Sequence, residues 1–297
     1  MISVKIMAGL GNQMFQYATA RALAHRRHTR LLLDTSTYEA MAAIDTPRKY
    51  ELDVYNIKGT IASSKELQKI QQPSSVKKMI LKDIKHNVIK RDSKLWPYHE
   101  RTTGYDSRVK WLPNNSYLVG WWQCPKYFES IRPALLKEFE PVKKPNKRNA
   151  ELLKLVSSCS SVAIHVRRGD YVSNKHASSH HGLAPIDYYS QAIRYIEKQV
   201  PSARFIVFSD DLKWCRKELP LPKDSIFVEG NDGNKAYEDI RIMKNCKHAI
   251  IANSSFSWWG AWLNTNPSKI IIAPKEWFQN KQANDEIQII PKDWKRL

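Results

Sequence analysis

Near the start of the chain apolar and polar positions alternate: Ile2, Val4 and Ile6 predict a short strand running into the turn Gly9-Leu10-Gly11. Behind the turn, Asn12 stands where it would cap an Ala-rich helix through Gln16, Ala18, Ala20, Ala22 and Leu23 to Ala24. The run Leu31–Asp34 predicts a second, buried strand. Together these make a βαβ unit, the building block of a doubly wound sheet. The second half is more regular. Short apolar runs at 162–166, 205–208, 226–228, 249–252 and 270–272 predict strands. They alternate with predicted helices at 186–200, from the Asp210-Asp211 turn to 219, at 237–246 and at 256–263. Polar residues gather just after the strands, which points to an open parallel sheet with its ligands at the strands' carboxyl ends. No apolar run approaches the roughly 18 residues of a membrane-spanning helix.

Between these halves the pattern changes. Val76, Ile80, Ile84 and Val88 recur every fourth residue among Lys77, Lys78, Lys82, Lys85, Lys90 and Arg91. This predicts one or two basic amphipathic helices, either packed on the domain with solvated lysines or docked on an anionic membrane surface. Residues 140–148 hold two prolines, four basic residues and little apolar content, and read as a linker. The expected organisation is therefore an N-terminal domain at 1–141, a linker at 142–149 and a C-terminal domain at 150–297, with the last helix packing back on the N-terminal domain.

Composition adds a constraint on partners. The 297 residues are 42% hydrophobic and 26% charged, as in ordinary globular proteins. The net charge of +19 calls for an anionic partner: nucleic acid, a phosphorylated substrate or anionic lipid. The basic residues are scattered and no nucleic-acid-binding motif accompanies them, which argues against nucleic acid. Cys124, Cys159, Cys215 and Cys246 form no C-x-x-C pair and no zinc spacing, so reduced thiols are expected. The N-terminus lacks the basic segment and long apolar stretch of a signal peptide, so a mature cytosolic chain, or one trimmed of its leader, is expected.

Four constellations carry chemistry. His165-Val166-Arg167-Arg168-Gly169-Asp170-Tyr171 follows a buried strand; two arginines at a sheet edge suit a diphosphate, because guanidinium is always charged and donates in a planar fork. Gly9-Leu10-Gly11-Asn12-Gln13 makes a tight turn before a helix, where a phosphate or sugar can approach backbone N–H groups. It is neither the dinucleotide fingerprint, since Met14 stands where the third glycine would fall, nor a P-loop. Asn253-Ser254-Ser255 leads a helix directly after a strand, as an anion site or an ordinary cap. Further along this helix, Trp258 and Trp259 either pack it on the sheet or wall a sugar. Asp210-Asp211 after Phe208-Ser209 offers carboxylates for a metal, for guanine, or for capping a helix. His180-His181 is set aside as a metal site, because adjacent histidines rarely chelate one ion.

In this order the blocks resemble the α1,2-fucosyltransferase family. The matching segments are Gly9-Leu10-Gly11-Asn12-Gln13-Met14-Phe15-Gln16-Tyr17-Ala18, Gly120-Trp121-Trp122-Gln123 with Tyr127-Phe128, 165–171, 208–211 and 251–259. The chain looks closest to bacterial members that build O-antigen, the lipopolysaccharide polysaccharide, or host-mimicking glycans. Two positions depart from the family pattern: Ala8 stands where the signature commonly has glycine, and Trp121 where tyrosine is frequent. The resemblance implies a GT-B-like α/β fold, two Rossmann-like domains facing across a cleft. It implies an inverting, metal-independent galactoside α1,2-fucosyltransferase that moves L-fucose from GDP-β-L-fucose to the 2-hydroxyl of a galactose residue in an oligosaccharide. Arg167 would contact the diphosphate, Arg168 would support it, and Ser254 and Ser255, led by Asn253, would bind phosphate. His165 and one of Asp210 or Asp211 would lie near the guanosine. Asn12 and Gln13, on the turn made by Gly9 and Gly11, would approach the fucose or acceptor. Asp170 is the expected general base. No cofactor beyond the donor GDP-fucose is implied, and the expected place of action is the cytoplasm, at the inner face of an anionic membrane.

Overall fold

The computed structural model describes residues 1–40, 48–71, 96–169 and 182–297. The basic segment 76–91, Asp170 and His180-His181 lie outside the described residues. The chain divides into two compact units, Met1–Tyr50 with Ile57–Leu135, and Glu51–Asn56 with Leu136–Leu297.

Unit 1 is built on β1 (Ile2–Lys5), β2 (Leu31–Asp34), β3 (Thr60–Ile61), β4 (Trp96–His99) and β5 (Ser116–Val119). They form one sheet in the order β3-β2-β1-β5-β4, with every pairing parallel. Helix α1 (Leu10–Arg26) connects β1 to β2, and its small residues Ala18, Ala20 and Ala24 are buried together with Phe15 and Tyr17. The helix begins earlier than the polar pattern predicts. Gly9 is its N-cap, and Asn12, the expected cap, already donates its backbone N–H to the Gly9 carbonyl at 3.0 Å. The strands β3, β4 and β5 carry no strong sequence signal: β3 is two exposed residues, and β4 is an edge strand interrupted by Pro97.

Unit 2 holds β6 (Ser161–Val166), β7 (Arg204–Ser209), β8 (Ile226–Phe227), β9 (His248–Ile250), β10 (Ile271–Ala273) and β11 (Lys295–Arg296). The order is β11-β10-β9-β6-β7-β8, again parallel throughout. The helices that matter below are α2 (Lys147–Ser158), α3 (Ile186–Gln199), α4 (Leu212–Glu218), α5 (Ala236–Asn245) and α6 (Ser255–Trp262). All six residues of β6 are buried, as expected of a central parallel strand covered on both faces. Tyr188, Tyr189, Ala192, Ile193 and Ile196 make one buried face of α3 and pack against Val162, Ile164 and Val166. Burying each such aliphatic side chain stabilises the unit by about 1.5–3 kcal/mol. The alternation read from the sequence is thus an α/β architecture with two parallel sheets.

The stretch 142–149, expected as a linker, is tied into unit 2. The Val142 N–H donates to the Val54 carbonyl at 2.9 Å, and the Arg241 guanidinium donates to the Lys143 carbonyl at 2.5 Å. Asn146 caps α2 by accepting from the Asn149 N–H at 2.9 Å. Its prolines and lysines carry the composition of a connector, but its backbone groups find fixed partners. Residues 136–141 also group with unit 2, as does Glu51–Asn56. Tyr55 forms an isolated bridge with Pro141, and its ring packs on Phe139 and Tyr237 at centroid distances of 5.5 and 6.5 Å. The last helix, Lys281–Glu286, and β11 group with unit 2. Among the described residues no helix is long and apolar enough to cross a membrane.

Candidate functional site

In unit 2 the strand order reverses beside β6: the chain runs outward through β7 and β8, then returns to lay β9 on the other side. Such a switch point opens a crevice at the carboxyl ends of the two central strands. The register brings Ile164 opposite Ile250 and Val166 opposite Ser209, so the loops after β6, β7 and β9 leave the sheet along one edge. They carry Arg167-Arg168, Asp210-Asp211 and Asn253-Ser254.

The two arginines are held from β7. Arg167 Nη1 pairs with Asp210 Oδ2 at 2.7 Å, and the Arg168 backbone N–H donates to Asp210 Oδ1 at 2.9 Å. The Arg168 side chain lies over the Trp214 ring, 4.1 Å from its centroid, with Nε 3.3 Å from Asp211 Oδ2. Asp211 is also the N-cap of α4, accepting from the Trp214 N–H at 3.0 Å. These bonds engage both carboxylates: Asp210 orients the two arginines, and Asp211 pairs with Arg168 and caps α4. Gly169 fits closely against this pair: a Cβ there would come 2.7 Å from Asp210 Oδ2.

His165 is buried at the end of β6, its ring 5.7 Å from that of Phe256 in α6. Burial holds its pKa down at about 4, so the imidazole is neutral at pH 7. Among the described residues its Nδ1 has no hydrogen-bond partner, a state that costs about 1–3 kcal/mol unless a ligand or water completes it. Ser254 is the N-cap of α6 and makes no side-chain capping bond. Asn253 is buried and donates to the carbonyls of Gly182 and Trp277 at 3.2 and 3.3 Å, which makes it a brace for the loop. Trp258 and Trp259 are fully buried, so of the two readings for them, packing against the core holds and a sugar wall does not.

Unit 1 has its own switch point, between β1 and β5. The loop after β1 holds Ala8 at φ 62°, the left-handed region that favours glycine and costs other residues about 1–2 kcal/mol. That is the position where the resembling family commonly has glycine. Gln13 is buried and spends its amide on the Ala8 and Lys49 carbonyls at 2.9 and 2.8 Å. It therefore shapes the turn instead of reaching a ligand. Gly11 is buried beside it. Asn12 is half-buried, and its Oδ1 accepts from Gln123 Nε2 at 2.7 Å.

Sequence reasoning missed Glu100, at the end of β4. Its carboxylate accepts the backbone N–H groups of Trp121 at 2.6 Å and Trp122 at 2.9 Å. Burial pushes its pKa up to about 7, with those two N–H groups pulling the other way. No motif marks it; only its place after a strand at the same sheet edge could have. A carboxyl with a raised native pKa contributes stability that is present at low pH and lost as pH rises through that value. Glu100→Gln cannot titrate, and its amide can accept only one of the two bonds. The stability gap between wild type and Glu100→Gln is therefore expected to narrow as pH rises from about 5 to about 8. Thermal melts at the two pH values check it, and a constant gap would contradict it.

Two parallel α/β units, each gathering polar loops at a switch point, belong here to a glycosyltransferase. The model of glycosyl transferase family 11 matches residues 1–297, and the chain belongs to that family. It is 35% identical over 301 residues to an alpha-1,2-colitosyltransferase of Escherichia coli, covering 100% of this chain and 98% of that protein. It is 34% identical over 308 residues to the O-antigen biosynthesis glycosyltransferase WbnK of Escherichia coli, covering 98% of this chain and 99% of that one. At 25% identity over 271 residues it is also similar to the Mus musculus galactoside 2-alpha-L-fucosyltransferase Sec1, covering 89% of this chain and 64% of that protein.

Proposed function

We propose that the protein transfers L-fucose from GDP-β-L-fucose to the 2-hydroxyl of a galactose residue in an O-antigen-type glycan, with inversion at the anomeric carbon and without a metal ion. The observation that carries this reading is Arg167 at the β6 edge, oriented by Asp210 at 2.7 Å. As the glycosidic bond breaks, positive charge grows on the sugar ring and negative charge on the departing diphosphate. A guanidinium fixed beforehand at that spot stabilises the leaving group without reorganising during the reaction. Arg168, clamped over Trp214, stiffens the turn. The N-terminus of α6 adds partial positive charge, and the Nδ1 of neutral His165, which has no hydrogen-bond partner among the described residues, supplies an acceptor for a nucleoside hydroxyl or amine. Asp170 remains the proposed general base for the acceptor hydroxyl. The acceptor would be lipid-linked at the inner membrane face, where the +19 charge favours an anionic surface.

A second donor is favoured by one finding: the relative named as a colitosyltransferase shares 35% identity with this chain, against 25% for the galactoside fucosyltransferase. Colitose is fucose without its 3-hydroxyl. The deciding experiment offers GDP-fucose and GDP-colitose separately to the purified chain, with a panel of β-galactosides in EDTA. Mass spectrometry reads the product and NMR its linkage. An α1,2-fucosylated galactoside is expected. Product from GDP-colitose alone moves the assignment to the deoxy sugar, and a requirement for a divalent ion refutes the metal-free chemistry.

A further inference from the structure

From the carboxyl edge of unit 1 we infer that Trp121 is the platform on which the acceptor's galactose ring stacks. This rests on the transfer reading above and deepens it by naming the acceptor subsite. The loop after β5 borders the unit's switch point. In it, Trp121 keeps 48% of its surface exposed, and among the described residues its indole packs on no other ring.

The loop that presents this ring is fixed from several sides. Glu100 holds the backbone N–H groups of Trp121 and Trp122 with its two oxygens. Gly120 admits no side chain, since a Cβ would come 2.4 Å from Glu100 Cβ. Trp122 is fully buried, stacked on Tyr98 at 6.3 Å and edge-on to Tyr127 at 5.7 Å. It nonetheless adopts φ 58°. A buried tryptophan in the left-handed region stores strain, which persists where the surroundings over-determine a functional geometry. The effect is that one indole is anchored inside and its neighbour is held outside.

Polar groups share the loop with this ring. Gln123, two residues on, is bonded to Asn12 across the switch point. This couple uses one donor and one acceptor and leaves further amide hydrogens and lone pairs. A flat aromatic face beside amide donors and acceptors matches a pyranose, whose C–H face is apolar and whose rim is hydroxylated. Galactose, with its axial 4-hydroxyl, leaves one ring face lined by C–H groups. Trp111 is more exposed, at 68%, but it carries Lys110 over its ring at 5.2 Å and ends the short helical segment Ser107–Trp111, before β5. It serves as the control.

The test compares wild type, Trp121→Ala, Trp121→Tyr and Trp111→Ala. For Trp121→Ala, kcat/KM for the β-galactoside acceptor is expected to fall about 10- to 100-fold, mostly through KM, as when a central aromatic anchor is truncated. The KM for the GDP-sugar and its slow hydrolysis by water stay unchanged. Trp121→Tyr restores most of the loss, and Trp111→Ala behaves as wild type. An unchanged acceptor KM in Trp121→Ala overturns the inference. So does a matching loss in donor hydrolysis, which would mark a purely structural role. Fluorine NMR of fluorotryptophan-labelled protein titrated with lactose, with the Trp121 signal assigned by Trp121→Phe, separates the two readings. A signal that moves while no sugar is transferred retains the platform and refutes the transferase reading; a signal that stays still refutes the platform.

Discussion

Arg167→Ala is expected to lower sugar transfer by about 100- to 1000-fold, the usual cost of removing one pre-oriented donor to a developing negative charge. The fold should survive. The Arg167–Asp210 pair lies at the sheet edge, with the two side chains 26% and 25% exposed, and partly exposed ion pairs contribute little to stability. Asp210 also retains the backbone N–H of Arg168 as a donor. Arg167→Lys should recover only part of the activity, because an ammonium is a point charge without the planar fork that spans two phosphate oxygens. Steady-state kinetics and circular dichroism on the same samples decide the matter. Turnover near that of wild type in a folded Arg167→Ala protein would remove the arginine from the chemistry.

Trp259→Ala is expected to act oppositely, through the fold. Trp259 is fully buried, with Phe139, Trp258 and Trp262 around it at centroid distances of 5.1, 5.0 and 5.2 Å. Truncating a core tryptophan removes its transfer free energy and leaves a cavity, at about 3–5 kcal/mol. Several rings meet here, so little relaxation can refill the space. Urea denaturation should report a loss of that size, and a loss below about 1 kcal/mol would mean that the aromatic cluster is not the packed centre of α6.

From β6 to β10 the strands and intervening helices of unit 2 were legible because the buried strands are short apolar runs and helices such as α3 keep a 3.6-residue apolar period; α2, the helix Lys281–Glu286 and β11 carried no such signal. Arg167 and Ser254 were legible for the same reason, since polar residues after such a run must emerge at the sheet edge. What the sequence hid was pairing between distant segments. Asp210 and Asp211 look like free carboxylates until β7 is laid beside β6 and brings them onto Arg167 and Arg168. Gln13 looks like a ligand contact until the turn at Ala8 folds back over its amide. Glu100 belongs to no motif, and only the parallel pairing of β4 with β5 carries it to the backbone of Trp121. The prolines and lysines of 142–149 announce flexibility, yet Val54 and Arg241, remote in sequence, fasten that stretch.

The membership of Glu51–Asn56 in unit 2 has a consequence for synthesis and for engineering. Tyr55 leaves the ribosome long before Phe139 and Tyr237, the rings that enclose it, so the later part of the gene does not by itself encode a finished second unit. A hybrid that exchanges unit 1 between relatives must therefore be spliced at three junctions, retaining the short 51–56 segment with the half that encloses it; a single cut at 136 would set the relative's 51–56 segment against an aromatic socket built for this chain's own.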